Sequence, residues 1–290
     1  YMGFIARTYG DGLENLVSIN EPWCVAWLSH YLGEHAPGLK DLNSAASANH
    51  FVCLGHGLGV QAARAETAKP IGIVLNFTPG RVENRSDSNI SALERYEAVT
   101  NTWYLSAVTK GKYPHAALSE LEPLLPRNWQ RDMDIIRDPI DFIGINYYTT
   151  QMLKAGGQDF PYVEIVDRNL PKTDMGWEIE PKGLADAINL VSQYAPDMPL
   201  YITENGMASK KSISDPDRIK YYQDHLNVVA KVAQILPIKG YFAWSLLDNF
   251  EWAFGYKKRF GLVYVDYETQ QRTKKDSFKW WQSELVRPLA

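Results

Sequence analysis

Five short apolar runs separated by longer helical stretches constrain this chain most. The runs are Asn15–Asn20 (NLVSIN), Pro70–Phe77 (PIGIVLNF), Asp141–Tyr148 (DFIGINYY), Leu200–Thr203 (LYIT) and Ile238–Ser245 (IKGYFAWS). Val, Ile, Leu and Tyr follow one another in them without polar alternation, the pattern of strands covered on both faces in a parallel sheet. Between them, Leu184, Ile188 and Val191 form one stripe of a helix over Gly183–Tyr194. Ile219, Tyr222, Leu226, Val229, Ala233 and Leu236 do so over Asp215–Leu236, with Ser214 able to cap and Pro216 in the first turn. A third helix spans Ser44–Glu66, although Gly55, Gly57 and Gly59 each cost about 1 kcal/mol there. A fourth, Asp276–Leu285, turns Phe278 and Trp281 inward.

This β/α alternation defines an α/β chain. Long connections follow several strands, over Gly80–Ser91, Thr149–Glu180 and Asp248–Phe260. Long loops at one end of parallel strands predict a (β/α)8 TIM barrel with its site at the strand C-termini. An open doubly wound sheet is the alternative, and no glycine-rich phosphate loop follows any strand to support it. Five parallel strands cannot close a barrel that needs eight, and two bare edges invite aggregation. The expectation is therefore one barrel domain over residues 1–290 that carries about five β/α units and lacks the first three strands.

Composition serves mainly to exclude. A net charge of −4, with scattered Lys and Arg, gives no footprint for nucleic acid. No apolar run reaches the roughly 18 residues that cross a bilayer, so no membrane partner is expected. Cys24 and Cys53 form no CxxC pair and read as unpaired thiols, and the six histidines form no metal cluster. His50 and His56 fall on different faces of their helix and read as ordinary core or surface residues. Nine Trp and seventeen Tyr exceed what a core of this size needs, and such rings stack on sugars or simply pack.

Glu204 ends an apolar strand just before Asn205 and Gly206. A carboxylate at the C-terminal end of a barrel strand points into the site, although position alone leaves a structural acid open. A second glutamate, Glu21, ends the first strand after Asn20, and Pro22 stops that strand. Ends three strands apart in an eight-stranded barrel face each other across the mouth. Two facing carboxylates are what glycoside hydrolysis requires, one to protonate the departing oxygen and one to attack or to activate water. Mutual proximity drives their pKa values apart.

SINEP (18–22), YITENG (201–206), FAWSLLDNFEW (242–252) and RFGLVYVDY (259–267) together resemble glycoside hydrolase family 1, the β-glucosidases and their relatives. The resemblance runs along the whole chain in the family's order and implies family strands 4 to 8. It implies that Glu21 is the general acid/base and Glu204 the nucleophile of a retaining mechanism, their carboxyls about 5–5.5 Å apart. It further implies that Asn20 binds the sugar 2-hydroxyl, that Tyr148 hydrogen-bonds the nucleophile with Asn146 beside it, and that Trp244 is the platform beneath the glycone. Glu251 and Trp252 match residues that hold the 4- and 6-hydroxyls, and Phe260 matches a wall. Members acting on phosphorylated sugars carry serine at the position of Glu251, so a neutral glycone is favoured. Myrosinase-type members carry glutamine at the position of Glu21, and this chain does not.

The resemblance implies a small-molecule β-glycoside substrate and no metal or organic cofactor. The family segments that supply a glutamine, a His-Trp pair and an arginine beside the nucleophile have no counterpart here, and Ser18 stands where threonine is usual. A longer polypeptide or a second chain supplying the missing strands is the expected resolution. A non-catalytic carbohydrate-binding or structural fragment, or a β-galactosidase or β-fucosidase of the same family, are the alternatives.

Overall fold

The computed structural model describes residues 1–210 and 213–285. In chain order its helices are α1 (Met2–Tyr9), α2 (Leu42–Arg64), α3 (Asp87–Glu97), α4 (Trp103–Lys110), α5 (His115–Leu121), α6 (Met133–Ile136), α7 (Pro181–Tyr194), α8 (Pro216–Val232) and α9 (Asp276–Leu285). Its strands are β1 (Leu16–Asn20), β2 (Ile71–Phe77), β3 (Gly80–Val82), β4 (Phe142–Tyr147), β5 (Gln151–Ala155), β6 (Val163–Val166), β7 (Leu200–Asn205), β8 (Ile238–Ala243), β9 (Val263–Val265) and β10 (Arg272–Lys274).

The five expected strands form one parallel sheet in the order β1-β2-β4-β7-β8, an arc of a (β/α) barrel with β1 and β8 at its two edges. Burial explains the unalternating sequence. Ile71, Ile73, Leu75, Ile143, Ile145, Leu200 and Ile202 are all at most 2% exposed, because helices cover one face and the barrel interior the other. In α7 the stripe Leu184, Ile188 and Val191 is fully buried, as its spacing predicts.

Three expectations need correction. The regions Gly80–Ser91 and Thr149–Glu180 are not plain loops: they contain β3, β5 and β6, which pair as a separate small sheet above the barrel. Strands of three to five residues are too short for a periodic signal. The N-cap position of α8 is Asp215, not Ser214, with Pro216 at the first helical position, and the Asp215 side chain makes no capping bond. Of the expected stripe only Tyr222 and Val229 are buried; the rest of the buried face is Arg218, Tyr221 and His225 rather than Ile219, Leu226, Ala233 and Leu236. Polar residues won that face because Asp215 pairs with Arg218 at 2.8 Å in the interior, which an apolar pattern cannot reveal.

Helix α2 runs unbroken through its three glycines. Gly57 is there for close approach: a Cβ on it would lie 2.0 Å from the Ile135 carbonyl oxygen. His50 and His56 on this helix are core residues, both fully buried. Cys24 and Cys53 are free thiols. No helix among the described residues is long and apolar enough to cross a membrane.

Candidate active site

The C-terminal ends of β1, β4, β7 and β8 bring the sequence-identified residues to one mouth. Register does the first part. Asn146 on β4 lies directly beside Glu204 on β7, and Tyr147 beside Asn205. Asn205 is fully buried and acts as a tie: its amide donates to the Tyr147 carbonyl (2.7 Å) and to the Tyr221 hydroxyl (2.9 Å), and its oxygen accepts from the Tyr241 hydroxyl (2.6 Å). The glycine after it is a contact requirement, since a Cβ on Gly206 would fall 1.9 Å from the Trp244 carbonyl oxygen. The turn after Glu204 is thus locked against the end of β8.

Glu21 is held differently. Its amide still bonds the Val74 carbonyl on β2 at 3.0 Å, but its φ is +48°, left-handed for a residue with a side chain. That turn, followed by Pro22, ends the strand and swings the carboxyl inward. Asn146 Nδ2 donates to Glu21 Oε1 at 2.8 Å and to Asn20 Oδ1 at 3.1 Å. Asn20 Nδ2 reaches Glu204 Oε1 at 3.5 Å, and the Tyr148 hydroxyl donates to Glu204 Oε2 at 2.6 Å. Thr203 Oγ1 donates to Asn146 Oδ1 at 2.6 Å and fixes which way that amide faces. One network of amides and hydroxyls therefore joins the two glutamates from strands that are first and fourth in the sheet.

Its electrostatics are those of crowded acids. Burial, and then the like charge of Glu21, push the Glu204 carboxyl up to about 7, with hydrogen bonds from Tyr148, Asn20 and Asn146 pulling the other way. Burial first and Glu21 second also raise Glu251 to about 7. None of the ion pairs among the described residues involves Glu21, Glu204 or Glu251.

The aromatic residues fall into two groups. Tyr148 and Phe260 meet edge to face at 6.0 Å, and Phe260 is buried. Trp244 is half-buried at the end of β8, its amide bonded to the Asn205 carbonyl at 2.9 Å. Trp252 stands apart: it is 67% exposed and its ring stacks on His35 at 5.6 Å. Glu251 and Trp252 sit on a tight turn closed by Glu251 N–H to Gly255 C=O at 2.7 Å.

Several neighbours escaped the sequence reading. Trp177 packs against both Tyr148 (5.3 Å) and Phe260 (6.3 Å), yet it lies in a connection without periodicity. Cys24 touches Glu21, and its only signal was the three-residue spacing. The loop bearing Glu251 and Phe260 is pinned from below. Asp248, 4% exposed, accepts from Gly261 N–H, Arg259 and Lys275, while Arg218 donates to the carbonyls of Met207, Arg259 and Phe260.

An arc of a (β/α) barrel with two networked carboxyl groups and an aromatic wall at its strand ends is an arrangement that barrel glycosidases use. The Glycosyl hydrolase family 1 model matches residues 1–287, and the chain belongs to that family. It is 40% identical over 291 residues to the 1,4-beta-D-glucan glucohydrolase of Thermotoga neapolitana, an alignment covering 97% of this chain and 65% of that protein. It is 39% identical to the bifunctional beta-D-glucosidase/beta-D-fucosidase of Bifidobacterium breve, covering 97% of this chain and 66% of the relative. The solved family 1 β-glucosidase from Thermotoga maritima superposes with a TM-score of 0.95 at 38% identity, over 98% of this chain and 66% of that one. The chain thus spans about two thirds of the length of these relatives.

Proposed function

We propose that this chain carries the acid pair of a retaining β-glycosidase that hydrolyses β-D-glucosides such as cellobiose and aryl- or alkyl-glucosides. The observation that carries the reading is the hydrogen-bond network that joins Glu21 to Glu204 through Asn146 and Asn20. Two carboxyl groups held to one network, with no cation paired to either among the described residues, serve a reaction that alternates acid, base and nucleophile.

In that reaction the ionised Glu204 carboxylate attacks the anomeric carbon and forms an ester bond. Glu21 gives its proton to the glycosidic oxygen as the bond to the aglycone breaks. Glu21, now ionised, takes a proton from water, whose oxygen displaces Glu204 and releases the sugar with its configuration retained. Tyr148 steadies Glu204 before attack, Asn20 meets the 2-hydroxyl, and Trp244 and Phe260 bound the ring. Glu251 and Trp252 take the outer hydroxyls, and a carboxyl at Glu251 disfavours a phosphorylated glycone by like charge.

The names of the relatives support glucose at this site, and the Bifidobacterium breve relative makes fucose the second reading. The two unpaired strand edges support a partner segment of further β/α units that closes the barrel, in this polypeptide or another. The test is turnover of a chromogenic aryl β-glucoside, its abolition in Glu204→Ala, and rescue by azide with inverted stereochemistry. Sugar affinity without turnover would instead identify a non-catalytic binding fragment.

A further inference from the structure

The chain after Glu21 is wound in an unusual way. Residues Cys24–Leu28 form a π-helical turn, a rare geometry that recurs at functional sites. Its first amide bonds back to the carbonyl of Glu21, Cys24 N–H to O at 2.9 Å, so the turn starts on the residue whose own φ is +48°. The two departures from regular backbone have one joint result. They bring Cys24 Sγ to 3.1 Å from Glu21 Oε2, while Asn146 occupies Oε1 from the other side at 2.8 Å.

We infer that Cys24 is a positioning residue for Glu21, its thiol hydrogen holding one carboxyl oxygen in place while binding it weakly enough to leave that oxygen basic. The inference rests on the role proposed above for Glu21. Glu21 must be a donor in one half of the reaction and an acceptor in the other. A hydroxyl or a cation at Oε2 would stabilise the carboxylate, lower its pKa and weaken it as the base. An apolar side chain would leave, among the described residues, only Asn146 to orient the carboxyl, through Oε1. An S–H is a poor donor and sulfur a poor acceptor, so the thiol orients either form with little preference between them. Burial, followed by the charge of Glu21, drives the thiol pKa well above its ordinary value, so Cys24 keeps its hydrogen. The titratable groups facing the pair are Glu204 from β7, Glu251 from the turn after β8, and Tyr148 after β4, none of them cationic.

Two measurements on the full chain test this. The first needs no turnover. The S–H stretching band of Cys24, isolated in a Cys53→Ala background, is expected at the low frequency of a hydrogen-bonded thiol and to move up in Glu21→Ala. A band at the free-thiol position, or one indifferent to Glu21→Ala, overturns the inference. The second compares Cys24→Ser and Cys24→Ala on aryl glucosides with good and poor leaving groups. The serine hydroxyl is expected to move the alkaline limb of kcat/KM down by roughly half a pH unit and alanine to move it up. Both losses should be several-fold larger with poor leaving groups, which need the proton. Equal displacement in one direction, or equal losses for all leaving groups, marks mere packing and overturns the inference. Absence of turnover in the barrel completed by that partner segment would refute the proposed function, and the thiol band would still decide the contact.

Discussion

At the residue scale the two glutamates have separable signatures. Glu204→Gln keeps the volume and removes the nucleophile, so the rate should fall by several orders of magnitude with the fold intact by circular dichroism. Near-normal turnover would remove Glu204 from the role. Glu21→Ala should cost roughly 10²–10⁴-fold on alkyl glucosides and little on aryl glucosides with good leaving groups. The charge crowding also predicts a pH dependence of stability. The carboxyl of Glu204 rises from its ordinary 4.5 to about 7 on folding, so the folded state holds a proton that the unfolded chain gives up. Its contribution is fully present below pH 4.5 and is lost as pH rises through about 7. Calorimetric Tm should therefore fall across that window in the parent chain, and fall less in Glu204→Gln. Identical slopes would argue against the raised carboxyl.

At the element scale the glycines of α2 divide by what surrounds them. Gly55 is exposed, and a Cβ on it would meet nothing within 4 Å, whereas one on Gly57 would meet the Ile135 carbonyl oxygen at 2.0 Å. Gly55→Ala is expected to stabilise by about 0.5–1 kcal/mol, and Gly57→Ala to destabilise, in denaturant titrations. Helical propensity is local and was visible in the sequence; the approach of α6 was not. The same contrast appears in α8, where Arg218 and Asp215, both fully buried, form the base on which the Phe260 loop rests. Arg218→Met leaves Asp215 buried without its cation, with Ser277 still donating to it, and should cost about 3–5 kcal/mol in chemical denaturation. A loss under about 1 kcal/mol would mean that water replaces the arginine.

At the scale of the whole molecule, the sheet ends at β1 and β8, and apolar side chains are open at both sides: Val17 at 38%, Phe242 at 58% and Leu246 at 59% exposure. Unpaired edges with exposed apolar residues favour association. Phe242→Lys is expected to reduce concentration-dependent association severalfold in analytical ultracentrifugation, and unchanged association would exclude that edge as the cause. A completing segment that set a cation beside Glu204 is expected to lower its raised carboxyl pKa, and with it the acid limb of kcat/KM, because Glu204 must be ionised to attack.

The parallel sheet, its five strands, the buried stripe of α7 and both glutamates were legible in the sequence, because strand burial and strand-end acids leave local traces in residue type and spacing. The small sheet of β3, β5 and β6, the polar face of α8, and the contacts of Trp177 and Cys24 were decided only by tertiary structure. Each depends on a partner distant in sequence or on a backbone turn that no period records: Arg218 is buried because carbonyls of residues 207, 259 and 260 meet there. Local patterns report how one element meets solvent. Which polar groups it meets inside is settled when the elements pack, since a buried charge is tolerated only where its partners converge.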